Sequence, residues 1–233
     1  MTSSPPVSKS PRSLLRDAST TVIAFPPNRE TLGGTAYLLI HPLGNGLIDT
    51  PAWTEENQQF LVDHGVSWLF LTHRGAIGSH LGAIADRLQC PVIIQEQEAY
   101  LIPEVNPRTF QHTYDFGAHD LGDGITAIWT PGHSPGSSCL YSPSHGGILF
   151  SGRHLLPDRQ GLPQPLRTAK TFHWPRQLRS TQQLRDRFTA ATLTHICPGA
   201  SIGLLRGQPT LTPAYAPLAA LDLDRLAQDL GFT

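Results

Sequence analysis

From Leu32 onward the chain alternates short β-branched or aromatic runs with segments of helical period. A chain written this way is confined to a layered α/β fold. Ala36 to Ile40 and Gly46 to Asp49 flank Pro42-Leu43-Gly44-Asn45 and predict a hairpin. A helix is expected next, capped by Thr54 and stopped by Gly65 at its C′ position. Trp68-Leu69-Phe70-Leu71-Thr72 is almost continuously apolar, which suits a strand buried on both faces. Beyond the loop from His73 to Gly78, Leu81, Ile84, Ala85 and Leu88 share one helical face, with Ser79 as the expected N-cap.

Further strands are expected at Val92 to Ile94, Ile125 to Trp129, Cys139 to Tyr141 and Ile148 to Phe150, the last two joined by a tight turn. A helix is predicted from Arg176 to about Ala191, with Leu184, Phe188 and Ala191 on one face. A Pro-broken loop from Gly207 to Pro217 then leads to a C-terminal helix at about 218–230, built on Leu223, Leu226 and Leu230 and closed by Gly231. Residues 1–20 are rich in Ser and Pro, carry Lys9, Arg12 and Arg16, and offer little to bury. They read as a basic, mobile arm preceding a single domain over 21–233.

The 17 basic and 18 acidic residues give a net charge of −1, so no overall field favours nucleic acid or an anionic membrane, and neither is expected as a partner. No apolar run approaches the roughly 18 to 20 residues of a membrane span. Cys90, Cys139 and Cys197 are odd in number, widely spaced and set among apolar residues, which predicts reduced core thiols. A cytoplasmic location is the matching expectation.

Of 11 histidines, three stand where α/β folds collect their sites. His73 follows a buried strand, His80 opens the next helix, and His133 lies in the tight segment Thr130-Pro131-Gly132-His133-Ser134-Pro135-Gly136. These residues carry a resemblance. Leu47-Ile48-Asp49-Thr50, Leu71-Thr72-His73 through His80-Leu81-Gly82, Thr130 through Ser137, Leu149-Phe150-Ser151-Gly152 and Cys197-Pro198-Gly199 resemble, in order, five motifs of the metallo-β-lactamase superfamily. The resemblance covers roughly residues 31–206. It implies a four-layer αββα sandwich of two mixed β-sheets flanked by helices. The superfamily includes hydroxyacylglutathione hydrolases, lactonases and RNA-processing nucleases.

The family holds two metal ions with about seven ligands, and the matching positions here are depleted. His73, His80 and His133 remain. The second histidine of the first motif falls at or beside Gly75 and its aspartate at Ser79, while Arg153 stands in place of the bridging aspartate and Ala200 in place of the final histidine. A guanidinium about 4 Å from a dication would repel it by about 8 kcal/mol at an effective dielectric of 20. A two-metal site is therefore not expected. Ser79, Arg153, His154 and Ala200 are the expected lining of the cleft.

Two readings follow. In the first, the protein is a divergent member with a degenerate site that acts by binding a small-molecule or protein partner, without two-metal hydrolysis and without a cofactor. In the second, His73, His80 and His133 hold a single zinc or iron ion, supported by Asp49, and the protein hydrolyses an ester, thioester or lactone. Against both stands a purely structural role: His80 as a residue of the first helical turn, and His73 and His133 bonded to neighbouring backbone. Residues 167–187 add Arg167, Lys170, Arg176, Arg179, Arg185 and Arg187 against Asp186 alone, which makes either a solvated helix face or a surface for an anionic partner.

Overall fold

Thr54 and Gly65 bracket the first helix for the reasons their chemistry gives. The Thr54 hydroxyl accepts from the amide of Asn57, and Gly65, at φ +70°, returns its own amide to Leu61 and Val62. This helix, α1 (Glu55–His64), belongs to the first half of a computed structural model that describes residues 10–102, 107–110, 118–165, 167–205 and 207–228.

The first sheet runs in sequence order through β1 (Arg12–Arg16), β2 (Thr21–Ala24), β3 (Tyr37–Ile40), β4 (Gly46–Ile48), β5 (Trp68–Phe70), β6 (Val92–Gln95) and β7 (Pro107–Phe110). Pairing is antiparallel up to β4 and parallel from β4 to β7. The crossovers from β4 to β5 and from β5 to β6 are made by α1 and by α2 (Leu81–Leu88).

The second sheet contains β8 (Ala118–Gly122), β9 (Ile125–Trp129), β10 (Ser138–Ser142) and β11 (Ile148–Gly152), all antiparallel. A two-stranded ribbon, β12 (Leu156–Pro157) and β13 (Pro163–Gln164), and the helix α3 (Trp174–Arg187) follow. β14 (His195–Pro198) then adds to β11 in parallel, before α4 (Tyr215–Ala219) and α5 (Leu223–Gln228).

Alternation of side chains sorts the apolar residues into three layers of core. Val22, Tyr37, Leu39, Ile48, Phe70 and Ile93 face Ala127, Leu140, Ile148, Phe150 and Cys197 between the sheets. Leu38, Leu47, Leu69, Leu71 and Ile94 pack outward on Leu61, Leu81 and Ile84 of α1 and α2. On the far side, Ile128, Cys139, Leu149 and Ile196 meet Leu184 and Phe188. The architecture is the four-layer αββα sandwich the resemblance implies. All three cysteines are free and buried. Among the described residues no helix is long and apolar enough to cross a membrane.

Several local expectations need correction. Residues 12–16 are not a mobile arm but the edge strand β1, because Leu14 and Leu15 find partial burial against the core between the sheets; residues 1–9 lie outside the described set. His80, not Ser79, occupies the N-cap position of α2, and neither caps it, because the His80 ring and the Ser79 hydroxyl are both drawn to Glu30. The helix expected from Arg176 starts at Trp174 and ends at Arg187, with the His173 ring accepting from the amide of Arg176. The C-terminal region forms two short helices, and Leu230 and Gly231 lie outside the described residues.

Gly152, at φ +52°, passes close by Thr72. A β-carbon at 152 would collide with the Thr72 hydroxyl in a backbone conformation that disfavours it. Gly152→Ala is expected to lose roughly 2 kcal/mol or more, read as a fall in the urea midpoint at unchanged slope.

Candidate functional site

The carboxyl ends of β4 and β5 build one wall of a cleft. Asp49, at φ +61°, turns back under the end of β5, where Oδ1 accepts from the Thr72 amide at 2.8 Å and both carboxylate oxygens accept from the Thr72 hydroxyl at 2.9 and 2.8 Å. Thr72 Oγ1 also lies 2.9 Å from Nδ1 of His73. With Asp49 ionised, the one hydroxyl proton goes to the carboxylate, so His73 Nδ1 is assigned as the donor. Its Nε2 then carries the lone pair, buried without a partner beneath Gly75, where an added β-carbon would sit 2.9 Å away.

The opposite wall is the loop after β9. Thr130 donates its amide to Ser137 O at 2.8 Å, and the Gly136 amide reaches Glu98 Oε1 at 3.1 Å. Gly132 packs so tightly on the Gln177 backbone that no side chain fits there. The loop thus delivers His133 against His73, with ring centroids 5.1 Å apart in an edge-to-face arrangement. Arg153 follows β11. One terminal nitrogen donates to Thr31 O at 2.7 Å and Leu32 O at 3.0 Å, tying the loop before β3 across the cleft mouth.

The cleft encloses about 480 Å³. Beside His73, His133 and Arg153 it is lined by Arg74, Lys170, Leu32 and Phe172, with Gly75, Leu156 and residues 168, 169 and 171 completing the wall. Phe172 donates its amide to His133 O at 3.1 Å, which holds the 168–172 segment over the site.

Sequence reasoning missed Arg74, Leu32 and Phe172, and placed Lys170 only in a basic stretch. Arg74 had a signal in its position directly after the strand-end histidine. Glu30, the partner of His80, had none.

The other expected residues are placed elsewhere. His80 lies on the surface, its Nδ1 3.1 Å from Glu30 Oε2, and the Ser79 hydroxyl donates to the same oxygen at 2.8 Å. Ala200 is buried at the end of β14 and does not line the cleft. His154 is fully buried, with Nε2 3.2 Å from the Thr181 hydroxyl, and does not line it either. Asp49 finds its main partner in Thr72 rather than in His133 or Arg153. In the basic stretch, Arg176, Arg179 and Arg187 lie on the exposed face of α3, and Arg185 donates to Leu221 O at 3.1 Å and to Gln182.

The donor set does not fit a binuclear metal centre. His73 and His133 are neighbours, but the third imidazole has turned to Glu30, the Asp49 carboxylate is occupied by Thr72, and a guanidinium stands in the cleft. Among the described residues no three His, Cys, Asp or Glu side chains are grouped to hold a metal ion.

By sequence, no family model and no curated protein matches the chain. By structure, a metallo-β-lactamase from Staphylococcus aureus subsp. aureus COL is similar over 94% of this chain and 69% of its own, at 17% identity and a TM-score of 0.63. The metallo-β-lactamase FIM-1 from Pseudomonas aeruginosa, in its mono-zinc form, matches over 96% of this chain and 99% of its own, at 14% identity and a TM-score of 0.65. The chain has the metallo-β-lactamase fold. A chemotaxis sensor, ODP, caught as a peroxy diiron species, is similar over 82% of this chain and 87% of its own, at 16% identity and a TM-score of 0.56. Fold is what such distant likeness establishes.

Burial sets the charge states in this metallo-β-lactamase-fold site. Desolvation, with help from His133, Arg153 and Arg74, holds His73 well below the usual histidine range. Desolvation and the same two arginines bring His133 down to about 4, and burial, aided by His133, takes His154 to about 3. Asp49 moves the other way: burial pushes it up to about 7 against the opposing pull of the Thr72 hydrogen bonds and Arg153.

These shifts fix the sign of a pH effect. The unfolded chain binds protons at these histidines between about pH 4 and 6.5 and the folded one does not, so their contribution is present above 6.5 and lost as pH falls. Asp49, raised when folded, contributes stability that is present below about 3.8 and lost as pH rises through about 7. Three groups oppose one. The thermal midpoint is expected to fall between pH 6.5 and 4, and to fall more steeply in Asp49→Asn, which can be read by circular dichroism melts across that range.

Proposed function

We propose that this protein uses the metallo-β-lactamase cleft to bind a small molecule, without two-metal hydrolysis. The observation that carries the reading is the placement of Arg153, whose side chain lines the cleft beside His73 and His133 and is fixed there by two carbonyls. A guanidinium stays protonated in such a setting and repels dications, and here it stands where the relatives' motif carries a carboxylate. A cleft of about 480 Å³ with an apolar rim and a few polar groups has the dimensions of a small-molecule site.

One arrangement favours the second reading, a mononuclear hydrolase of an ester, thioester or lactone. The neighbouring imidazoles His73 and His133 supply two of the three protein ligands a catalytic zinc or iron uses, and the Asp49–Thr72 pair fixes the orientation of His73. In this reading those residues would bind and orient the ion, which would supply an activated water.

Metal analysis separates the two. Untagged protein loaded with zinc or iron(II), then desalted, is expected to retain well under about one equivalent by elemental analysis. About one equivalent, lost in His133→Ala together with thioester hydrolysis, would establish the mononuclear reading. Two equivalents would sink the binding reading.

A further inference from the structure

The charge in the cleft is inverted relative to what a metal centre needs. Arg74, Arg153 and Lys170 line it, and among the described residues no aspartate or glutamate does. Among the described residues His41 pairs with Asp123, His80 with Glu30 and His145 with Asp17, and no ion pair engages Arg74 or Lys170. Asp49 lies behind Thr72 and offsets only part of the charge of Arg153. Cations gathered around a partly enclosed space, without counter-charges in the wall, make a field that draws an anion inward.

Arg153 is incompletely satisfied. Its hydrogen bonds to Thr31 O and Leu32 O come from one terminal nitrogen, and Nε is buried with no acceptor. Those bonds leave the other terminal nitrogen unengaged, and an oxyanion is the acceptor a guanidinium fork is shaped for. The rim is apolar. Leu32 is 64% exposed and Phe172 50% exposed, and both line the cleft with Leu156.

We infer that the cleft binds a small organic oxyanion, a carboxylate or a phosphate ester, with its head among Arg74, Arg153 and Lys170 and its apolar body against Leu32, Leu156 and Phe172. This deepens the small-molecule reading of the cleft and rests on it. The apolar wall would select for a carbon skeleton over an inorganic ion.

Isothermal titration calorimetry on the full chain tests it, with phenyl phosphate and benzoate as anionic probes and benzyl alcohol as the neutral control. At least one anion is expected to saturate, with a Kd at least about tenfold tighter than that of the alcohol and weakening as sodium chloride is raised. The tighter of the two anions identifies the head group as phosphate or carboxylate. Arg74→Met/Lys170→Met, at positions that make no side-chain hydrogen bond among the described residues, should weaken the anion by about tenfold or more while leaving the circular dichroism melt unchanged. Arg153→Met, which also frees the loop at Thr31 and Leu32, should weaken it further.

Failure of both anions to saturate, equal binding of the alcohol, or unchanged affinity in the double variant would overturn the inference. Any of these in metal-poor protein would leave the small-molecule reading standing for a neutral ligand. Two equivalents of metal would sink that reading whatever the anions do.

Discussion

A buried carboxylate sets the terms for this cleft. Asp49 sits 6% exposed at the carboxyl end of β4, and a charge in that position is costly unless it is bonded and countered. Thr72 answers the first need with its amide and hydroxyl, which locks the end of β5 to the end of β4 and aims His73 through the same hydroxyl. Arg153 answers the second across the gap between the sheets, and its field lowers the proton affinity of Asp49. The close passage of Gly152 over Thr72 brings that arginine within range. The mouth of the cleft depends on the same residue, because its guanidinium holds the carbonyls of Thr31 and Leu32.

An arginine at this point changes what the fold can do without changing the fold. The three layers of core lie away from the cleft and are filled by Val, Ile, Leu, Phe and Cys side chains whose packing owes nothing to a metal. Similar layers accommodate a mono-zinc lactamase and a diiron sensor. Chemistry in such a fold is decided by a few side chains on the loops at one sheet edge, and here those loops present three cations and two neutral imidazoles. The pressure on any ligand is therefore electrostatic first and shape-selective second.

The histidines show how far burial governs their roles. His73 and His133 keep positions that resemble those of ligands, yet both are held neutral by desolvation and by the arginines beside them. His80, 46% exposed at its side chain, has left that environment altogether and pairs with Glu30. Three imidazoles that the sequence motifs single out together thus occupy two unrelated settings in space.

Local chemistry was legible in the sequence where a residue acts on its own neighbours, as Ser79, drawn to the distant Glu30, does not. Thr54 and Gly65 bound α1, the apolar run at 68–72 became a buried strand, and the isolated cysteines became core thiols, since capping, periodicity and hydrophobicity are short-range properties. The order of motifs likewise carried the αββα sandwich. The direction of the His80 side chain, the burial of Ala200 and His154 away from the cleft, and the arrival of Lys170 and Phe172 at its rim were not readable. Nor was the pairing of residues 12–16 as an edge strand. Each depends on a partner distant in sequence: Glu30 for His80, Thr181 for His154, the His133 carbonyl for Phe172, and Thr21 to Ala24 for β1. Only the assembled sheets bring such partners together, and so the tertiary structure alone decided which charges share the cleft.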